Sequence, residues 1–284
     1  MATFYNQATL SYNGNTTTSN ITTGELVEVL SATKTAVQTE YQQDDTLTYV
    51  VNILNSGNTT MTGVTISDNL GAYTLNALTL VPMDYVVGTV RYYVGGVLQP
   101  TPTVTAGPPL TISGLSVPAT GNVTVIYQAK TNDYAPLAQE SSITNTATIN
   151  ANNIANPITA SATVNAYGEP VLRISKSLTP TTVSENGQLT YTFIIQNYGN
   201  NTADETDALI VSDRFDPILN PITVAFNGTA WTEGTEYTYD ATTGQFVSTA
   251  GAITVPAASY TQDSATGAIS IVPGSATLTI TGTV

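Results

Sequence analysis

Residues 47–58 read "LTYVVNILNSGN": apolar side chains recur at every second position from Leu47 to Ile53, and the run then breaks on a Ser-Gly turn signal. The same reading fits "LTYTFII" at 189–195, "VTVIYQA" at 123–129 and "ATLTITG" at 276–282. In an extended chain successive side chains point to opposite faces, so a period of two describes a strand with one face buried. No segment carries the 3.6-residue period of an amphipathic helix. Many short strands, separated by Asn-Gly, Ser-Gly and Pro turns, predict an all-β chain of immunoglobulin-like sandwiches. The abundant threonines suit the exposed strand faces, where β-branching is favoured.

Working outward from that stretch, residues 34–60 align with residues 176–202 at a constant offset of 142, which places Lys34 on Lys176, Leu47 on Leu189, Asn55 on Asn197 and Gly57 on Gly199. After a three-residue insertion near Asp204, "VTISDNL" (64–70) matches "LIVSDRF" (209–215), Asp68 on Asp213. Further on, Pro118 aligns with Pro273, and Ala129 with Val284. The chain therefore holds two copies of one domain. Residues 29–170 form domain one and residues 171–284 a second, incomplete domain. Residues 1–28 form a connector.

The 284 residues are 41% hydrophobic but only 9% charged, so Thr, Asn, Ser and Gln must keep the surface wet, as in surface proteins. Twenty acidic against six basic residues, net −14, would repel phosphate backbones and anionic lipid, which argues against nucleic acid and membrane insertion as partners. Cysteine and histidine are both absent. That removes thiolate nucleophiles, Cys or His metal sites and imidazole-dependent triads, and no disulfide can staple the fold. No apolar run approaches the roughly 20 residues needed to span a bilayer. An enzyme is not expected, and no cofactor is called for.

A Lys-bearing first strand, then "LTYVVNILNSGN" and "VTISDNL", resembles the conserved-repeat family of bacterial and archaeal surface proteins known as domain of unknown function eleven. Both copies carry the motifs. The resemblance implies extracellular stalks and fibres at a cell or spore surface, without a defined activity. Related pilin and adhesin sandwiches are known for spontaneous Lys to Asn isopeptide bonds.

The two copies differ in how they finish. After Ala129 the first copy continues through "ITNTATI" (143–149) and "TASATVNAY" (159–167), while the second copy shows no such strands. Conversely, "FYNQATLSY" (4–12) has the order of parts of "ITNTATINA" (143–151), with Asn6 on Asn145 and Ala8 on Ala147. A sandwich without its last strands leaves unpaired backbone groups, and donation of a strand by another chain is the usual remedy. Residues Phe4, Asn6, Ala8 and Leu10 are therefore expected to form a donor strand for domain two of a neighbouring subunit. Such a head-to-tail contact does not close on itself and builds a filament. A stalk piece, whose missing strands lie in further sequence, is the alternative origin of the same pattern.

Strand parity places polar residues among the apolar ones. Lys34 shares a face with Leu30 and Ala32, and Lys176 with Leu172 and Ile174; Asp68 lies with Val64 and Ile66, and Asp213 with Leu209 and Val211; Asn145 lies with Ile143, Ala147 and Ile149. Burial pushes lysine toward the neutral amine and aspartate toward the neutral acid, the states that amide formation needs. A neutral lysine can attack the Asn carbonyl while Asp68 or Asp213 promotes proton transfer, with ammonia leaving. The expected bonds are Lys34–Asn145 within domain one and Lys176–Asn6 between subunits. A buried Lys–Asp ion pair, with Asn as neighbour, is the plainer alternative.

Asp204, Glu205 and Asp207 could offer oxygens to calcium but read better as a solvated acidic turn. Trp231, Tyr237 and Tyr239 suit a sugar-stacking face less well than a core. Asn-X-Thr matches at Asn15, Asn58, Asn122 and Asn227 follow from the composition. The sequence thus points to a structural fibre subunit that partners itself, with a cell-surface anchor or tip protein as further partner. The alternative is a stalk or adhesin fragment that binds a host or matrix ligand through its loops.

Overall fold

The computed structural model describes residues 2–26, 29–152, 154 and 156–284. Their regular structure is β-strand throughout, apart from one 3-10 turn at Glu205–Asp207. The chain divides into two compact units: residues 1–39, 44–132 and 143–164, and residues 40–43, 133–142 and 165–284. The division falls near 164/165 because residues 40–43 and 133–142 bond with the second unit. Glu40 and Tyr41 pair with Asn165 and Ala166, and Asp133 O accepts from Ile269 N.

The first strands form a hairpin. Strand β1 (Ala2–Asn6) pairs with β4 (Thr22–Leu26), and β2 (Thr9–Tyr12) with β3 (Asn15–Thr18). The turn between β2 and β3 is Asn13-Gly14, with φ of 45° and 79°, the left-handed pair that a two-residue hairpin turn of matching twist demands. The donor strand expected over Phe4–Leu10 is thus two strands. Residues 19–21 on one arm lie across from residues 7–8 on the other, and this extra residue is a bulge that interrupts the ladder. Ser19 bridges the break, its Oγ accepting from Ala8 N at 3.0 Å and its carbonyl from Gln7 Nε2 at 2.8 Å. Phe4, Tyr5, Leu10, Tyr12 and Ile21 are all exposed. The Phe4 ring lies over Gly24, where an added Cβ would come within 2.2 Å of Cζ.

The first unit is a sandwich of two antiparallel sheets. One is six-stranded and is built around β5 (Leu30–Ala36), β6 (Thr46–Asn55), β10 (Asn122–Thr131) and β8 (Arg91–Val94), in the order β8-β10-β6-β5. The other orders β9 (Leu110–Val117), β7 (Met61–Asp68), β11 (Ser142–Asn150) and β12 (Ile158–Ala166). Leu47, Tyr49, Val51 and Ile53 from β6 and Val64 and Ile66 from β7 are buried on the inner faces, as the period-two reading requires. Strand β7 is central: Asp68 lies opposite Leu110 of β9 on one side and Ala147 of β11 on the other.

The second unit repeats the first sheet but not the second. Strands β13 (Leu172–Thr179), β14 (Gln188–Asn197), β19 (Gly274–Thr283) and β16 (Ile222–Phe226) lie side by side in that order. Strand β15 (Ser212–Arg214) pairs with β18 (Gln245–Ser248), which pairs with β17 (Tyr237–Asp240). The core gathers Leu189, Tyr191, Phe193, Phe215, Phe246 and Leu278. Strand β15 is an edge: Asp213 lies opposite Phe246, and no described strand takes the place that β11 holds beside β7. Leu172 and Ile174, expected in the interior, are exposed, Ile174 at 57%, because no described strand covers that stretch of β13. Gly282 lies opposite Leu189 as Ala129 lies opposite Leu47. The equivalent of Ala129 is therefore Gly282 and not Val284.

The repeated "NSGN" and "NYGN" motifs are loop clasps. Asn55 Oδ1 accepts from Gly57 N at 2.9 Å, while its Nδ2 donates to Thr59 O at 2.8 Å and Pro118 O at 3.0 Å. Asn197 accepts from Gly199 N and Val171 N and donates to Asn201 O. Asn55→Ala would leave the buried Gly57 N and two partly covered carbonyls without this partner and is expected to lower stability by about 3 kcal/mol, measured by chemical denaturation.

Candidate functional site

Lys34 projects from β5 and Asp68 from the end of β7, so the two sheets bring them together across the interior. Their ion pair spans 2.6 Å with both side chains fully buried. Asp68 Oδ2 also accepts from the hydroxyl of Tyr127 on β10 at 2.5 Å, and Oδ1 accepts from Leu70 N at 3.0 Å. Tyr127 stacks on Tyr49, the residue opposite it, with ring centroids 5.7 Å apart. The Lys34 ammonium lies 4.9 Å from the centroid of the Tyr49 ring, a cation–π contact that partly replaces lost hydration. Burial is the main influence on Lys34 and lowers it from 10.5 to about 8, against the opposing pull of Asp68.

Asn145, on β11, completes the cluster. It is fully buried, and its Nδ2 donates to the Tyr127 hydroxyl at 3.3 Å. Its Oδ1 is buried with no hydrogen-bond partner among the described residues, a ground-state cost of about 1–3 kcal/mol. The Lys34 amine, the Asp68 carboxyl group and an underbonded amide carbonyl thus meet in one buried cluster.

The second unit assembles only part of this. Lys176 on β13 forms an ion pair with Asp213 on β15, with side-chain exposures of 39% and 19%. The ammonium lies over the rings of Tyr191 at 4.4 Å, Phe193 at 5.4 Å and Phe215 at 5.5 Å. Tyr191 is the counterpart of Tyr49, but Ile280 lies opposite it where Tyr127 lies opposite Tyr49. Asn6, the expected partner of Lys176, is exposed on β1 opposite Thr22, and Ala8 is exposed at the break in the hairpin.

Tyr49 and Tyr127 are the residues that the sequence reading passed over. Parity was the available signal, since Tyr49 alternates with Leu47 and Val51, and Tyr127 with Val125 and Ala129. The weaker expectations resolve as structural features. Asp204 caps the 3-10 turn, its Oδ1 accepting from Thr206 N, while Asp207 Oδ2 accepts from Asp204 N. Trp231 stacks on Phe226 at 5.2 Å, Tyr237 is buried against Phe246, and the Tyr239 hydroxyl donates to Leu219 O. These three aromatics thus take part in packing.

No family model matches the chain, and no curated protein matches it. Solved structures similar to it include the major pilin subunit BcpA of Bacillus cereus, 11% identical with a TM-score of 0.37, matched over 96% of this chain and 73% of that one. The full-length major pilin SpaD of Corynebacterium diphtheriae is 12% identical, TM-score 0.36, over 86% and 59%. The pilus backbone RrgB of Streptococcus pneumoniae is 13% identical, TM-score 0.35, over 86% of this chain; the match spans only about half of that protein, 55%. Likeness this distant carries no argument about what the chain does.

Proposed function

We propose that the chain is a structural subunit of an extracellular surface fibre, a homopolymer built by strand donation and locked by Lys–Asn amide bonds. The contrast between the two Lys–Asp pairs carries this. In the first unit the pair is sealed under a β-hairpin that delivers Asn145. In the second it is half open beside an unpaired strand edge. The exposed N-terminal hairpin has the Asn-X-Ala pattern of the sealing one, so a second copy of the chain can supply what the second unit leaves open. The motif resemblance to surface-protein repeats supports the same assignment. Among the described residues no helix is long and apolar enough to cross a membrane.

In the first unit Lys34 Nζ attacks Asn145 Cγ, the new C–N bond replaces the bond to Nδ2, and one ammonia leaves. Single-turnover amide formation of this kind makes the chain its own substrate. The same exchange joins Lys176 of one copy to Asn6 of the next. Peptide mapping of boiled fibres tests both bonds: each linked pair is expected to have lost one ammonia. Unmodified peptides, with monomers instead of filaments in electron micrographs, would instead favour a stalk or adhesin fragment.

The low pKa of Lys34 sets a pH dependence. Below about 8 the folded amine is mostly charged, and above it mostly neutral, so the rate of Lys34–Asn145 bond formation is expected to rise toward pH 8 and then level. In the unbonded chain the folded pKa lies below the unfolded value of 10.5. The penalty of burying this amine is therefore full below pH 8 and is relieved as pH rises toward 10.5. Timed acid quenching followed by intact-mass measurement gives the rate profile.

A further inference from the structure

Given the Lys34–Asn145 bond proposed above, the exchange must deliver a proton to the departing nitrogen, and the first unit holds a third group, beside lysine and aspartate, placed to speed that delivery. An amide nitrogen departs only after it gains a proton, and that proton must come from the nitrogen of Lys34, which becomes cationic on attack. Asp68 Oδ2, at 2.6 Å from Lys34 Nζ, is placed to take it. Asn145 Nδ2, the atom that must receive it, is hydrogen-bonded to the hydroxyl of Tyr127 at 3.3 Å, and the same hydroxyl donates to Asp68 Oδ2 at 2.5 Å. Tyr127 thus links the proton acceptor to the leaving group in a buried chain of hydrogen bonds.

We propose that Tyr127 is a catalytic residue that relays the proton from Asp68 to Asn145 Nδ2, so that the leaving group departs as ammonia. The steps balance. Lys34 Nζ bonds to Asn145 Cγ; its surplus proton passes to Asp68 Oδ2; Tyr127 gives its own proton to Nδ2 as the Cγ–Nδ2 bond breaks and regains one from Asp68. Lysine and asparagine become a secondary amide and ammonia, and both Asp68 and Tyr127 return to their starting states. Two features suit Tyr127 to the task. Burial, and then the charge of Asp68, raise its phenol well above the usual value, so it rests in the protonated form that a relay needs. Stacking on Tyr49 and the register of β6 against β10 fix its ring. The second unit has Ile280 at this position, so the relay belongs to the bond within the first unit.

The test uses the full chain made in a timed cell-free translation, quenched in denaturant and read by intact mass and peptide mapping. Tyr127→Phe keeps the ring and removes the hydroxyl, and is expected to slow loss of ammonia from the Lys34–Asn145 pair by about 100-fold. A folded Tyr127→Phe chain that forms the bond at the wild-type rate overturns the relay while leaving the bond itself established. A wild-type chain that never loses ammonia overturns the bond, and the relay with it, before any substitution is made. Should Tyr127→Phe fail to fold, difluorotyrosine at position 127 decides. It preserves shape and hydroxyl but is a stronger acid, and the rate is expected to change several-fold. An unchanged rate overturns the relay, because a merely structural tyrosine would not respond to acidity.

Discussion

Removal of residues 1–12 is expected to abolish polymerisation while leaving the first unit folded. Strands β1 and β2 vanish in this variant, whereas β5 to β12, with the buried Lys34, Asp68 and Asn145, are untouched. A neighbour's strand β15 then finds no strand to complete it. Sedimentation and electron microscopy should show monomer at concentrations where the full chain forms filaments. A synthetic peptide of residues 2–14, added to the full chain, should cap the open second unit and shorten the filaments. Normal filaments from the truncated chain would show that the second unit is completed by some other segment.

The second large effect separates covalent locking from assembly. Lys176→Ala is expected to collapse the detergent-resistant ladder of boiled fibres to monomer, with filaments still visible before boiling. Strand pairing and burial of Phe4 and Leu10, both exposed in the free hairpin, do not require the bond. Lys34→Ala should leave the ladder intact. It should cost the first unit about 3–5 kcal/mol, through loss of the crosslink and the cavity left by a fully buried side chain. A wild-type fibre that boils to a clean monomer band would remove the interchain bond and leave plain strand exchange.

Much of this could be read from residue order. Period two located the long strands, because in a sandwich each strand has one face toward the core. The offset between repeats located Lys34, Lys176, Asp68 and Asp213, and parity turned Lys34, Asp68 and Asn145 inward. Other features follow from long-range pairing that local pattern does not encode. Tyr127 escaped notice because comparison of the repeats favours residues present in both copies, and its counterpart is Ile280. The break at Gln7 and Ala8 is set by one extra residue on the opposite arm, which alternation within 4–12 cannot show. Leu172 and Ile174 alternate like core residues yet stand exposed. Alternation reports which face a side chain shares, not whether anything covers that face.

The placement of Lys34 and Asn145 has a mechanical consequence. Lys34 stands on β5, the first strand of its sheet, and Asn145 on β11, in the hairpin that finishes the unit. Tension along a fibre would enter near β5 and leave beyond β12. With Lys34 joined to Asn145 the pull crosses from one strand to the other through a single covalent bridge, and residues 35–144 carry none of it. The hydrogen bonds among the strands within 35–144 would then be spectators under load, while those of β12 and the end of β11 would still bear it. Stretching should extract only the segments outside the bridge, residues 7–33 and 146–175, so the extension of each subunit has a ceiling set by those two lengths of chain.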